Sequence, residues 1–346
     1  MLASAAFGWL AMSRATTYFK EIPDNIAAWE VPILLTSLVP VIWIAILIHE
    51  LGHLAGARAV GFRFLFLEAG PVSVHRMEGG LKFTWAKKLG FMGRVACYPA
   101  DFDNINSRMI WYIAAGPVAS LPFALLFWPV FLQLPALFQP PVALEILVSA
   151  LIGVFAALPS RNRGQSSDGG KIRTLLQGGA AAEHMTAVIL LTSQLMAGTR
   201  CRDLSPDLLA RLSPVEEVDP YSAVTLMLRY GHALDSGDIP TGLALLDQLP
   251  RNLDCLSARQ QACIYLDAAL QEARHRNGAA QARAWLAKVP AKPSFVRERS
   301  RMLSEAAILR AEGNVEGSRS LASRALELES PVYAINETEL LKELAT

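Results

Sequence analysis

Apolar positions fall into two regimes along the chain. Up to about residue 198 they run together in stretches nearly free of charge; from Thr199 onward they recur at helical spacing among Arg, Asp and Glu. A helix crossing a hydrocarbon layer about 30 Å thick needs about 20 predominantly apolar residues. Three segments reach or approach that length: 31–57, with Pro40 as a kink site, 109–134 and 142–158. Residues 1–19 are apolar but lack the cationic start and cleavage site of a secretory signal, so they read as an interfacial or short extra helix. The stretch 185–197 is too short to span and reads as a helix lying on the membrane or packed against the bundle. After the first span, "FRFLFLEAG" and "VSVHRMEGGLKFTW" alternate well enough for strands joined at "GP", a small β-hairpin or sheet. The expected fold class is therefore mainly α: a polytopic membrane helix bundle with three core spans over 1–198, then a soluble helical domain over 199–346.

Composition agrees with this division. Of the 346 residues, 52% are hydrophobic and 18% charged, too apolar for an ordinary soluble chain of this length. A net charge of +1 gives no reason to expect nucleic acid or another polyanion as a partner. Cys97, Cys201, Cys255 and Cys263 form no CxxC pair and read as reduced thiols. Lysine and arginine cluster after the first span, from Arg58 to Arg108, and after the third, at Arg161, Arg163, Lys171 and Arg173. The loop 135–141 has no cation and 21–30 carries three acids. The positive-inside rule then places the ends of the first and third spans together on the cytosolic side.

Within the first span stands "ILIHELGHLAGA", residues 46–57. On a helix His49 and His53 project from one face about 6 Å apart along the axis, so both imidazoles can bind one zinc ion. Glu50, about a third of a turn round, can reach a zinc-bound water without being a ligand, as a general base requires. Ionised residues at mid-membrane cost about 2.5–3.5 kcal/mol each on a translocon scale and mark function by default. Catalytic zinc takes three protein ligands and a water, so one more ligand is needed. His75, Asp101, Asp103 and Asp168 are the candidates on the cytosolic side, and spacing does not choose among them.

Here the chain resembles the site-2 protease family of intramembrane metalloproteases. The resemblance rests on "HELGH" at 49–53, "AAGPVAS" at 114–120 and "SDGG" at 167–170, in that order, with "LEAGPVSVH" at 67–75 similar to the family's membrane-associated β-hairpin. It covers roughly residues 31–176 and implies His49, His53 and Asp168 as zinc ligands with Glu50 as the catalytic group. It also implies a substrate-binding role for the second-span motif, here Gly116 and Ser120. Two positions depart from the family pattern: Ser120 stands where asparagine is frequent, and "AALP" puts Ala156 and Pro159 where an NxxP stretch is common. Asn162 is the nearest asparagine that could substitute. Gly52 and Gly56 form a GxxxG on the same helix, suited to close helix packing.

The charged half contains three similar segments, 233–250, 272–290 and 309–328, each with a polar, glycine-bearing turn between apolar-periodic helices. Turns about 40 and then 36 residues apart suit stacked helical hairpins similar to tetratricopeptide repeats, which usually present a concave face to a protein or peptide. His184, His232 and His275 have no ligand spacing and read as surface or packing residues.

The expectation is a zinc-dependent endopeptidase in a cell membrane, multi-pass and of the bacterial inner-membrane type. It would cleave a membrane protein or membrane-bound precursor peptide, with the tail binding a cytosolic protein or peptide. The alternatives are a non-catalytic membrane-anchored scaffold and a metal-handling membrane protein. The latter would need further ligand pairs along a pore, and the other spans offer almost none.

Overall fold

A computed structural model describes residues 30–77, 80–85, 93–135, 138–162, 165–212, 220–249, 253, 256, 258–289, 298–328 and 335–346. The expectations for residues 1–19 and Cys255 lie outside these. Three helices are long and apolar enough to cross a membrane: α1 (Glu30–Ala59), α2 (Ile105–Phe131) and α3 (Gln139–Ala157). Helix α1 runs through Pro40 without a break. Helix α2 begins four residues before the predicted span, and the extra turn is polar because Arg108 reaches back from it. That guanidinium donates from Nε to the Val60 carbonyl (2.9 Å) and from Nη1 to the Asp103 carbonyl (3.1 Å), tying the end of α1 to the start of α2.

Small residues let these two helices approach closely. A Cβ on Gly52 would overlap the Ala119 methyl and the Ala115 carbonyl, and one on Gly56 would overlap the Ala115 methyl. Lipid tails give apolar side chains no reason to leave them, so close van der Waals contact between backbones is what holds such helices together. The third helix joins at Gly153, where a Cβ would press on Leu121 and Ser120.

The expected small hairpin or sheet is a four-stranded sheet. Four antiparallel strands, β1 (Phe62–Ala69), β2 (Val72–Met77), β3 (Gly80–Trp85) and β4 (Gly93–Pro99), lie in the order β3-β2-β1-β4. Strand β1 is central and mostly buried, and it joins the ends of α1 and α2 in a core that includes Ala57, Phe62, Leu67, Met109 and Ile113. Gly70 turns β1 into β2 at φ +56°, and a Cβ there would strike the Trp43 ring of α1. Edge strand β3 is exposed along its whole length, with Leu81, Phe83 and Trp85 alternating onto one face. Strand β4 lacks a clear alternation because both its faces are partly covered, which hid it from the hydrophobic pattern.

Beyond a two-residue hairpin, β5 (Arg161–Asn162) with β6 (Gln165–Ser166), come α4 (Asp168–Gln177) and α5 (Gly179–Met196). Helix α5 covers the stretch expected on the membrane or against the bundle and is the link between the halves. Met185 enters the sheet core, whereas Ala187, Val188, Leu190 and Leu191 form another core with Leu204, Leu208, Leu212 and Leu228. The hydrophobic interior thus runs across the 198/199 boundary.

The remaining helices are α6 (Pro206–Ala210), α7 (Pro220–Asp235), α8 (Ile239–Leu246), α9 (Ala258–His275), α10 (Ala279–Ala287), α11 (Glu298–Ala311), α12 (Val315–Glu327) and α13 (Ile335–Ala345). Helices α7 to α12 make three hairpins with one turn chemistry. Gly237, Asn277 and Gly313 take positive φ at the first helix's end. Asp238 and Asn314 then cap the next helix, accepting from the amides of Thr241 (3.3 Å) and Gly317 (2.9 Å). At the second turn Gly278 starts α10 with no side-chain cap. Helix α13 closes the stack with Leu341 and Leu344 in the core shared by the second and third hairpins.

Between α7 and α9 lies an enclosed acid: the Tyr230 hydroxyl donates to Asp267. Burial, opposed by that bond and reinforced by Glu337, pushes the Asp267 carboxyl up to about 6. The native state therefore keeps a proton that an unfolded chain releases near pH 3.9, so stability falls as pH rises through that window and levels off above about 6. Asp267→Asn, which mimics the protonated group, is expected to be more stable than the parent at pH 7.5 by on the order of 1–3 kcal/mol. The gain should shrink toward pH 5, as read by scanning fluorimetry across that range.

Candidate metal centre

Side chains from two distant parts of the chain meet along the second half of α1. His49 and His53 are four residues apart on its inward face, and both are buried together with Glu50. Asp168 opens α4 and brings Oδ2 to 3.3 Å from His49 Nε2 and 3.2 Å from His53 Nε2, while the two Nε2 atoms stand 3.2 Å apart. His49, His53 and Asp168 are the cluster of potential ligands found among the described residues.

The partners of the other ring nitrogens decide what these atoms are. His53 Nδ1 lies 3.1 Å from the Tyr112 carbonyl, which can only accept, so Nδ1 carries a proton and, in the neutral ring, Nε2 the lone pair. The Ser120 hydroxyl donates to the Gly116 carbonyl at 3.3 Å, leaving its oxygen to accept from His49 Nδ1 at 3.1 Å. In the neutral ring His49 Nε2 is a lone pair as well. With both rings neutral, two imidazole lone pairs and a carboxylate oxygen converge in a buried space, an arrangement that repels itself unless a cation sits among them. Edges of 3.2–3.3 Å are those of a tetrahedron about 2 Å from centre to corner, the size of a zinc-type site. The donor set fits a divalent metal ion.

Glycines and a cap make this approach possible. A Cβ on Gly116 would overlap the His53 ring, and one on Gly93, at the start of β4, would overlap the Glu50 carboxylate. Ser167 caps α4: its hydroxyl donates to the Leu158 carbonyl (2.6 Å) and accepts from the amides of Ser160 (3.0 Å) and Gly170 (3.1 Å). This pins the turn to the end of α3, and only a glycine at 169 fits against the Ala157 carbonyl there. Burial opposes the charge on Asp168, and Lys171 Nζ, 3.2 Å from Oδ1, favours it. The start of α4 adds the favourable end of its dipole.

The other expected positions lie elsewhere. His75 sits on β2, 2.9 Å from Ser73 and stacked on Phe66, and Asp101 pairs with Arg108. Asp103 is exposed. Gly116 and Ser120 are both buried against the histidines, Gly116 beside the His53 ring and Ser120 beside His49. Asn162 is in β5, and its side chain lies outside the described part. His184 and His232 make packing contacts, with Thr225 (3.2 Å) and the Cys201 carbonyl (2.8 Å). Tyr112, Gly93 and Lys171 were not legible as site residues: Tyr112 contributes a main-chain carbonyl, and the others act only through tertiary placement.

Beside the Asp168 turn an open apolar groove of about 500 Å³ runs between α2, α3 and α4, lined by Pro117, Val118, Leu121, Ala157, Gly169 and Leu176. The Tyr112 hydroxyl donates to the Val95 carbonyl of edge strand β4 (3.0 Å), while the opposite edge strand, β3, is exposed along its length.

Comparison with protein-family models, curated proteins and solved structures finds no match to this chain.

Ser120→Ala should leave the fold intact and lower the affinity for zinc by about 10–100-fold, because His49 loses the partner that fixes its tautomer. Competition with a chromophoric chelator measures this; an unchanged affinity counts against the centre as described.

Proposed function

We propose that this protein is a zinc-dependent intramembrane endopeptidase of the site-2 protease type. It hydrolyses a peptide bond in or near a transmembrane segment of a membrane protein or membrane-bound precursor peptide. One observation carries the reading: a His, His, Asp ligand set with a buried Glu50 beside it, built on a helix apolar and long enough to span a bilayer.

His49, His53 and Asp168 would hold the ion, with Ser120 and Tyr112 fixing the imidazoles. A zinc ion there supplies Lewis-acid chemistry, acidifying water and polarising a carbonyl oxygen. Glu50 takes the proton of the attacking water and returns it to the leaving amine nitrogen. Gly93 leaves room for the carboxylate, which a Cβ there would overlap. Lys171, 3.2 Å from Asp168 Oδ1, keeps the acid from turning away.

The apolar groove beside Asp168 suits a substrate segment arriving from the lipid, and the segment must unwind before its amides reach the centre. The exposed β3 edge can hold the unwound part as an added strand. Cation clusters following α1 and α3 support a centre that opens toward the cytosol, in a membrane of the bacterial inner-membrane type.

Glu50→Gln should keep stoichiometric zinc and lose at least about 100-fold in cleavage of its membrane substrate, the scale of a lost general base. Comparative membrane proteomics of parent and variant cells reads the outcome. A cleavage pattern unchanged by the substitution favours the non-catalytic scaffold reading instead.

A further inference from the structure

The first helices of the repeat hairpins, with α13, form a row. Tyr230 of α7 bonds Asp267 of α9, Ser304 of α11 bonds the Leu266 carbonyl of α9 (3.1 Å), and Ser300 of α11 bonds Glu337 of α13 (2.8 Å). Arg200 touches both ends of this row. Its guanidinium forks onto Asp235 of α7, with Nη2 to Oδ1 at 2.6 Å and Nε to Oδ2 at 3.4 Å, and its other Nη meets Glu339 of α13. One side chain can bridge the first and last members only if the row curls. The row therefore has a hollow face, and the chain leaving α5 passes through it.

That passing segment is gripped at main chain and side chain alike. His232 Nδ1 donates to the Cys201 carbonyl (2.8 Å), the Arg202 amide donates to Asp235 (2.9 Å), and Asn336 Nδ2 approaches Cys201 Sγ at 2.9 Å. A side chain at position 231 would crowd the same sulfur, at 3.3 Å from its Cβ. Burial opposes the charge on Asp235, but Arg200 and the Arg202 amide hold its carboxyl below the usual range. A paired carboxylate for a guanidinium, a ring N–H for a backbone carbonyl and a small residue opposite a small side chain are how a receptor reads a peptide. Arg202 itself is exposed and Glu339 is 41% exposed, so the grip opens to solvent.

We propose that this hollow face is a docking site for an arginine-bearing turn of a partner protein, and that Arg200–Cys201–Arg202 is its resident intramolecular occupant. The partner presents an arginine to Asp235 and Glu339, followed by a small residue whose carbonyl takes the His232 proton. Binding expels the resident turn. The docking chemistry lies in the repeat domain and needs nothing from the metal centre.

The test uses the full chain in detergent and a fluorescent peptide, Gly-Thr-Arg-Ser-Arg-Asp-Leu, read by polarisation. Arg200→Ala empties the carboxylate fork and is expected to bind the peptide at least tenfold more tightly than the parent. Adding Asp235→Asn should abolish the gain. Equal binding by parent and Arg200→Ala, or a gain that survives Asp235→Asn, overturns the proposal. Hydrogen exchange of Arg200→Ala should show faster exchange in residues 199–204 with α9 to α12 still protected. Loss of protection throughout those helices would show that the turn is a fixed structural clamp, and would overturn the proposal equally.

Discussion

Close contact between α1 and α2 is the constraint on which the rest depends. Gly52 and Gly56 meet Ala115 and Ala119 with no room for a further carbon, so the helices are set by backbone shape rather than by interlocking side chains. The same proximity lets the Tyr112 carbonyl and the Ser120 hydroxyl, on one helix, orient His53 and His49 on the other. Two polar rings are thereby satisfied inside an apolar bundle, where an unmet hydrogen bond costs several kcal/mol. Separating the helices by the width of a methyl group would break both bonds at once.

Asp168 reaches the histidines by a different device. Its turn is fastened to the last residues of α3 through Ser167, so its position follows from where α3 packs, and α3 is located in turn by Gly153 against α2. All three side chains are thus referred to the middle helix, two by direct hydrogen bonds and one through the neighbouring helix.

Much of this was legible in the sequence because the signals were local. Length and apolarity marked all three long helices, and the spacing of His49 and His53 put both rings on one face. The glycine-bearing turns at 237, 277 and 313 marked the hairpins. What was not legible arises from tertiary placement. Strand β4 has both faces partly covered and so lacks alternation, and helix α5, expected on the membrane or against the bundle, supplies apolar residues to a second core as well, which its own sequence does not mark. Ser120 was marked by motif position, but its role behind His49 depends on a contact across 71 residues of chain.

The core that α5 shares with the tail has a practical bearing on how the protein can be divided. A fragment beginning at Thr199 would strip Leu204, Leu208 and Leu212 of the helix that covers them and leave a greasy, adhesive flank. A soluble piece suited to isolation must carry residues 179–196 along with it. Met185, freed from its contacts with the sheet, is then the natural position at which to introduce a polar side chain.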